Sequence, residues 1–274
     1  MLVADVVDEA RFGDSVAAQY ERGMVPLFFQ PFAEELAARI VARRPARVLE
    51  LAAGTGAVTR VLAERLPPST EIVASDLAEA MIARAVACGT ARPVAWTVAD
   101  AQAIPFDDAS FDVVACQFGV MFFPDRARAY AEARRVLRPG GAFVFSTWDS
   151  VAHNELAAIV HAAMAELFPA DPPTFIARIP HGYFNPVAIR GDLAAGGFRT
   201  EPTLATVAMR SRAARAEHVA SALCAGTPLR AEIASRRGPS LEEAVAVVTA
   251  RIAGAFGHGS IDAAMQAVVV EVTP

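Results

Sequence analysis

The sequence predicts an α/β fold: a Rossmann-like, largely parallel sheet with helices on both faces. Three observations carry that prediction. Short apolar runs alternate with amphipathic stretches of about 10 to 15 residues between residues 47 and 149, as in strands joined by crossover helices. The runs are apolar throughout rather than at every second position, which suits strands covered on both faces. The chain of 274 residues is 54% hydrophobic, enough to bury a large core.

The elements follow in order. Residues 14–44 have helical periodicity, expected in two pieces broken near Gly23 and Pro26. The second piece begins apolar and ends basic, at Arg43–Arg44, a charge order that suits the helix dipole. RVLELA (47–52) is a buried strand closed by AGTG, and the amphipathic helix after it stops at Pro67–Pro68. EIVASD (71–76) is a second strand, followed by a helix ended by Gly89. PVAWTVAD (93–100) and FDVVACQFG (111–119) are the third and fourth. A helix from Asp125, stopped by Pro139 and two glycines, leads to the fifth, AFVFSTWD (142–149). Beyond Asp149 the pattern loosens. A helix (153–168), a proline- and aromatic-rich loop (171–186), a helix (186–198) and a strand (199–210) precede a mostly helical stretch (213–256) and a last strand (265–274). Segments 1–45, 150–182 and 211–258 read as additions around one core.

Composition narrows the function. No charge-free run of about 18 apolar residues exists, so no membrane span is expected. The opening MLVADVVDEARFGD carries early acids and no basic start, unlike a signal or transit peptide, and a cytoplasmic location is expected. Cys88, Cys116 and Cys224 lie far apart without zinc-like spacing, so unpaired thiols and no metal are expected. The formal net charge is −5, and the pairs Arg43–Arg44 and Arg134–Arg135 read as solvated helix faces. A nucleic-acid partner is therefore not expected.

The strongest local signal is Glu50-Leu51-Ala52-Ala53-Gly54-Thr55-Gly56, a turn between a strand and a helix. Gly54 and Gly56 permit a tight turn and close approach of a ligand, although such a turn can also simply join two elements. Asp76 ends the next strand 20 residues past Gly56, where a carboxylate can accept both hydroxyls of a ribose. It could equally cap the following helix. Asp100 ends the third strand, placed to accept from an adenine amino group, with the Ala101 amide offered to the ring. Glu50 would repel a pyrophosphate at the helix N-terminus, and Thr59 stands where a dinucleotide fingerprint has its third glycine. A cationic nucleoside such as S-adenosylmethionine suits these acids better than NAD.

The ordered set VLELAAGTG, ASD, VADAQAIPF, FDVVACQFGVMFFPD and RRVLRPGGAFVFSTW resembles the class I S-adenosylmethionine-dependent methyltransferases. It is most similar to the small-molecule branch that includes ubiquinone/menaquinone-biosynthesis methyltransferases. The resemblance spans about residues 46 to 149. It implies a seven-stranded sheet with the last strand antiparallel, with 199–210 and 265–274 as sixth and seventh strands, and helical insertions as a substrate lid. It implies a helical cap over 1–45, a cofactor-binding core over 46–149, and the rest of the core with acceptor-binding insertions over 150–274. Gly54 and Gly56, with Thr55 between them, would pass the methionine part of the cofactor, and Glu50 would organise the loop. Asp76 would hold the ribose, with Leu77 and Met81 against the adenine. Asp100, Ala101 and Gln102 would hold the adenine edge, and Gln117 and Phe118 would meet the methionyl group. The chain has Ala52 where the family often has a further glycine. Tyr20 resembles a tyrosine that closes over the cofactor, or it packs the first helix on the sheet.

The resemblance implies methyl transfer by in-line displacement to a small acceptor. A base is needed only where the nucleophile must lose a proton. His153 and His181 are the best-placed candidates, beside the alternative of surface or packing histidines. Asp125 reads as a helix cap and Asp149 as ambiguous. Phe28, Phe29, Phe122, Trp148 and Tyr183, with Phe118, Phe123, Phe175 and Phe184, favour an apolar or aromatic acceptor pocket. Loops with Pro172, Pro173 and Gly182 would form part of a lid. A nicotinamide-dependent oxidoreductase, a non-catalytic S-adenosylmethionine-binding regulator and a macromolecular methyltransferase are the competing readings. A homodimer is compatible with all of them.

Overall fold

The computed structural model describes residues 14–274, and the expectations placed on residues 1–13 lie outside the described residues. The strands are β1 (Arg47–Glu50), β2 (Glu71–Asp76), β3 (Ala95–Val98), β4 (Phe111–Gln117), β5 (Leu137–Trp148), β6 (Thr203–Ala213) and β7 (Ile261–Val272). They form one sheet in the order β3-β2-β1-β4-β5-β7-β6. Strands β1 to β5 pair in parallel, while β7 runs antiparallel to both β5 and β6. The expected seven-stranded sheet with an antiparallel last strand is therefore present. The chain builds outward from β1 to β3 and then crosses to β4 on the other side. Strand order reverses between β1 and β4, and a crevice opens at their carboxyl ends.

The alternation of side chains along β5 explains why both faces are covered. Phe143 and Phe145 point to one face, where Tyr130 of α5 (Arg126–Val136) packs at 5.4 and 5.5 Å between ring centroids. Trp148 has the opposite parity and meets Phe32 of α2 (Gln30–Ala42) edge-on at 5.3 Å. The sheet positions of β4 and β5 are almost all buried. α3 (Ala57–Arg65) packs beside α2, and α4 (Glu79–Cys88) against β2 and β3. α6 (Glu155–Leu167) leans on β7, with α9 (Ala216–Ala225) and α11 (Leu241–Phe256) packed against it.

Several elements depart from the sequence expectation. The helix near Gly23 and Pro26 is not broken. α1 (Asp14–Gln19) continues into a π-helical stretch, Tyr20–Phe29, and then into α2. The wider turn accommodates Pro26, which has no N–H to donate. β5 starts at Leu137 rather than 142, because Arg138–Gly141 are drawn into extended chain after α5 ends at Val136. Arg138 precedes a proline, which disfavours helical backbone. β6 begins after Pro202. The aromatic loop contains a single helical turn, α7 (Phe175–Arg178), before α8 (Pro186–Ala195). α10 (Leu229–Ala234) sits in the C-terminal helical stretch. No helix among the described residues is long and apolar enough to cross a membrane.

Candidate active site

The crevice at the reversal point opens into a cavity of about 450 Å³. The first loop is stitched to its neighbours by backbone bonds: Leu51 N–H donates to Ala115 and Ala53 N–H to Ser75, at 2.8 and 2.9 Å. Ala52 and Phe118, one at the end of each central strand, both have left-handed backbone, φ 50° and 52°. Such a conformation costs a residue with a side chain roughly 1–2 kcal/mol. Glycine alone adopts this conformation without a side-chain penalty. The two loops also touch: a Cβ on Gly119 would lie 2.5 Å from the Ala52 Cβ. Gly119 is thus required by close approach, a requirement the sequence alone did not reveal.

Ala52, Gly54, Asp76, Leu77, Met81, Asp100, Ala101, Gln102, Gln117, Phe118 and Tyr20 all line the cavity. Asp76 does more than cap a helix. One carboxylate oxygen accepts from Ala78 N–H at 2.9 Å, the other from Gly54 N–H at 2.8 Å, so it clamps the first loop to the second. Burial raises its pKa, and the backbone amides of Ala78, Gly54 and Leu77 oppose that rise. Asp100 is bridged by the Gln102 side-chain amide at 3.2 Å to each oxygen, with Gln102 N–H at 2.8 Å. Leu77 is 43% exposed, an uncovered apolar shelf at the rim. Gln117 Nε2 donates to the Phe29 carbonyl at 3.2 Å, and its buried Oε1 has no partner. The Tyr20 ring stacks on Phe29 at 5.1 Å, and burial, then the charges of Asp76 and Glu21, push its phenol far above the ordinary range.

Three residues expected at the cofactor stand off the wall: Glu50, Thr55 and Gly56. Glu50 is 2% exposed beneath the loop and accepts from Thr59 Oγ1 at 2.6 Å. Burial pushes its pKa up to about 8, against the Thr59 bond and the Arg60 charge. Thr55 is buried, and its carbonyl accepts from Arg60 Nη1 at 2.6 Å. Arg60 also pairs with Glu21 at 2.7 Å and so ties the π-helical segment to the loop. Gly56 answers to packing: a Cβ there would lie 2.9 Å from the Trp96 ring. Gly56 is thus required by close packing between α3 and β3.

The acceptor expectations divide. Phe28, Phe29, Phe122 and Trp148 line the cavity, as do Phe123 and Phe175. Trp148 stacks flat on Phe118 at 3.9 Å, 3° between planes, and joins the two loops to α2. Tyr183 does not line it. Its hydroxyl bonds Tyr130 at 3.2 Å and its ring lies under Arg126, so it belongs to the α5 packing. Phe184 is also off the wall. His153 projects to solvent beside Ser150 and does not face the cavity. His181 does line it, buried to 7% exposure, with Nδ1 at 2.7 Å from the Asp149 carbonyl. Asp125 caps α5 through Arg128 N–H. Asp149 ties β5 to β7, accepting from the Gln266 side chain at 2.7 Å. The far wall comes from residues that sequence reasoning missed, notably Ser211, Leu223, Thr227 and Met265. Nothing in their local pattern sets them apart from ordinary core and cap positions.

The chemistry of this wall can be tested against a cofactor. Among the described residues its only charged side chains are the acids Asp76 and Asp100, and no arginine lines it. It therefore suits a ligand carrying positive charge and opposes a pyrophosphate. With the buried, partnerless Gln117 oxygen, it fits S-adenosylmethionine.

Comparison with known proteins agrees. A methyltransferase-domain family profile matches residues 49–145. A demethylmenaquinone methyltransferase of Deinococcus radiodurans is 33% identical over 175 residues, covering 60% of this chain and 72% of that protein. The chain belongs to the S-adenosylmethionine-dependent methyltransferases. A malonyl-[acyl-carrier protein] O-methyltransferase of Geobacter sulfurreducens is 34% identical over 188 residues, or 68% of this methyltransferase and 66% of the relative. The chain thus spans about two thirds of the length of these relatives. In fold, the methyltransferase is similar to phosphoethanolamine N-methyltransferase 2 of Haemonchus contortus, solved with phosphomonomethylethanolamine and S-adenosylhomocysteine. The TM-score is 0.60, with 18% identity, and the match covers 100% of this chain and 60% of that one. At that identity the likeness concerns the fold alone.

Proposed function

We propose that this methyltransferase modifies a small, uncharged, apolar or aromatic acceptor by in-line displacement. The observation that carries the reading is the division of one cavity into two ends. Among the described residues the two lining carboxylates are Asp76, which ends β2, and Asp100, just past β3, whereas the end under the later helices has no charged side chain. The acidic end would hold the cofactor. Asp76 would hold the ribose, Asp100 with Ala101 and Gln102 the adenine edge, and Leu77 and Met81 the ring faces. Ala52, Gly54, Gln117 and Phe118 would meet the methionyl part, with Tyr20 closing over it. Glu50 would act from beneath, through Thr59 and the loop. When bound, S-adenosylmethionine supplies an activated methyl group on a positively charged sulfur. The chain's own residues then need mainly to align the acceptor and exclude water.

The acceptor end would receive a molecule with aromatic or alicyclic bulk. Phe122, Phe175 and Met265 supply its walls, and the helical segments of 150–274 cover it. The Deinococcus relative is named for demethylmenaquinone, a quinone-class molecule, which supports an acceptor of that chemistry. A phosphorylated amine of the kind bound in the Haemonchus enzyme would find no arginine among the described residues of this wall.

Calorimetric titration with S-adenosylmethionine and S-adenosylhomocysteine tests the reading, beside Asp76→Ala. Loss of two charge-assisted bonds at about 1.5–3 kcal/mol each predicts a drop in affinity of at least about 100-fold. No binding of either ligand by folded wild-type protein would defeat it.

A further inference from the structure

Among the described residues the apolar end of the cavity contains one titratable side chain, His181, and its chemistry can be read from a single hydrogen bond. Its Nδ1 lies 2.7 Å from the Asp149 carbonyl. A carbonyl only accepts, so Nδ1 carries the proton and Nε2 is an unprotonated nitrogen with a lone pair. This tautomer is held firmly. The Asp149 carboxylate accepts from Ser150 N–H at 2.6 Å and from Gln266 Nε2 at 2.7 Å, and Asp149 N–H donates to the Gln266 carbonyl at 3.1 Å. Burial pulls the imidazole pKa down to about 4, so the ring is neutral at physiological pH. The ring stands 5.8 Å from Trp148, beside Ile176 and Pro180, and Nε2 makes no hydrogen bond within the described residues. A second polar atom without a partner, Ser211 Oγ, lies buried in a residue that lines the same cavity and is 1% exposed. Asn154, by contrast, is fully committed to Asp149, Ser150 and Gln266.

An acceptor-only nitrogen on an apolar wall discriminates between ligands of equal shape. It rewards one that brings a hydrogen-bond donor and penalises one that brings a second acceptor. Building on the proposed acceptor reading, we propose that His181 Nε2 takes a hydrogen bond from a hydroxyl of the acceptor. The substrate class is then a neutral, hydroxyl-bearing aromatic or alicyclic molecule, bound in its hydroxy form rather than as the ketone or ether. His181 is a recognition residue held in its working tautomer by the β5–β7 junction.

The test uses a matched pair, 1-naphthol and 1-methoxynaphthalene, titrated calorimetrically into the protein saturated with S-adenosylhomocysteine. The expected result is at least tenfold tighter binding of the naphthol. His181→Leu abolishes that preference, and His181→Gln, which can still present an oxygen, restores most of it. All three proteins bind S-adenosylhomocysteine within twofold of one another. Three results would overturn the proposal: equal affinity for the pair in the wild type, a preference that survives in His181→Leu, or binding of neither compound. Failure of the wild type to bind S-adenosylhomocysteine strikes the cofactor reading instead. The same pair, titrated without it, still decides the role of His181.

Discussion

The two ends of the cavity are built by different means. The acidic end is assembled mainly from four loops, each following a strand of the parallel sheet, with Tyr20 of the π-helical stretch and Met81 of α4 added to them. The uncharged end takes Phe122 from the loop after β4, and the rest of its wall from residues scattered between Asn154 and Met265, carried on helices, a loop and the β6–β7 pair. A ligand site made of consecutive strand ends has a sequence rhythm: a strand, a turn residue, a helix. A site made by helices folding back over the sheet has none, because each wall residue obeys only the packing of its own helix. A site of the second kind can change residue by residue without disturbing the strand ends that build the first.

The comparison can be broken at the junction between the two ends. Trp148 stacks on Phe118 and touches Phe29 and Phe32. Trp148→Ala is expected to cost about 3–5 kcal/mol of stability, and to weaken binding at both ends together. Denaturant unfolding and calorimetry would check this. If cofactor affinity survives intact, the two ends are mechanically separate.

A smaller effect probes the buried acid beneath the first loop. The pKa of Glu50 in the folded protein, about 8, lies above its ordinary value. The folded state therefore holds this proton more tightly than the unfolded chain. The stability tied to it is full below the ordinary glutamate range and is lost as pH rises through about 8. The ligand-free protein should melt several degrees lower at pH 9 than at pH 6, and Glu50→Gln should remove most of that difference. A thermal melt series on both proteins would show it. An unchanged pH dependence in the variant would place the titration elsewhere.

The smallest effects concern residues that the sequence suggested and the structure moved away. Tyr183→Phe should cost about 1 kcal/mol through the lost Tyr130 bond, with acceptor binding untouched. His153→Ala should alter neither stability nor methyl transfer measurably, since the side chain faces solvent. A large loss of activity from either would place it back in the acceptor end.

The amino-acid sequence by itself determined the strand–helix alternation, the acid that ends β2, and the acidic sign of one end of the cavity, while β1, β3 and β4 stop two residues short of the expected 52, 100 and 119. Local chemistry suffices for these. Apolar runs define strands, glycines and prolines stop elements, and strand ends of a parallel sheet share one edge. Only the tertiary structure decided which aromatic rings face the cavity. Phe122 and Tyr183 look alike in sequence, yet one lines the wall and the other packs under Arg126. It also decided that Gly56 yields to Trp96, that Gly119 presses on Ala52, and that His181 meets the Asp149 carbonyl while His153 does not. These are contacts between residues distant in the chain. They are set by how helices pack across the sheet, and local sequence pattern does not encode the packing register.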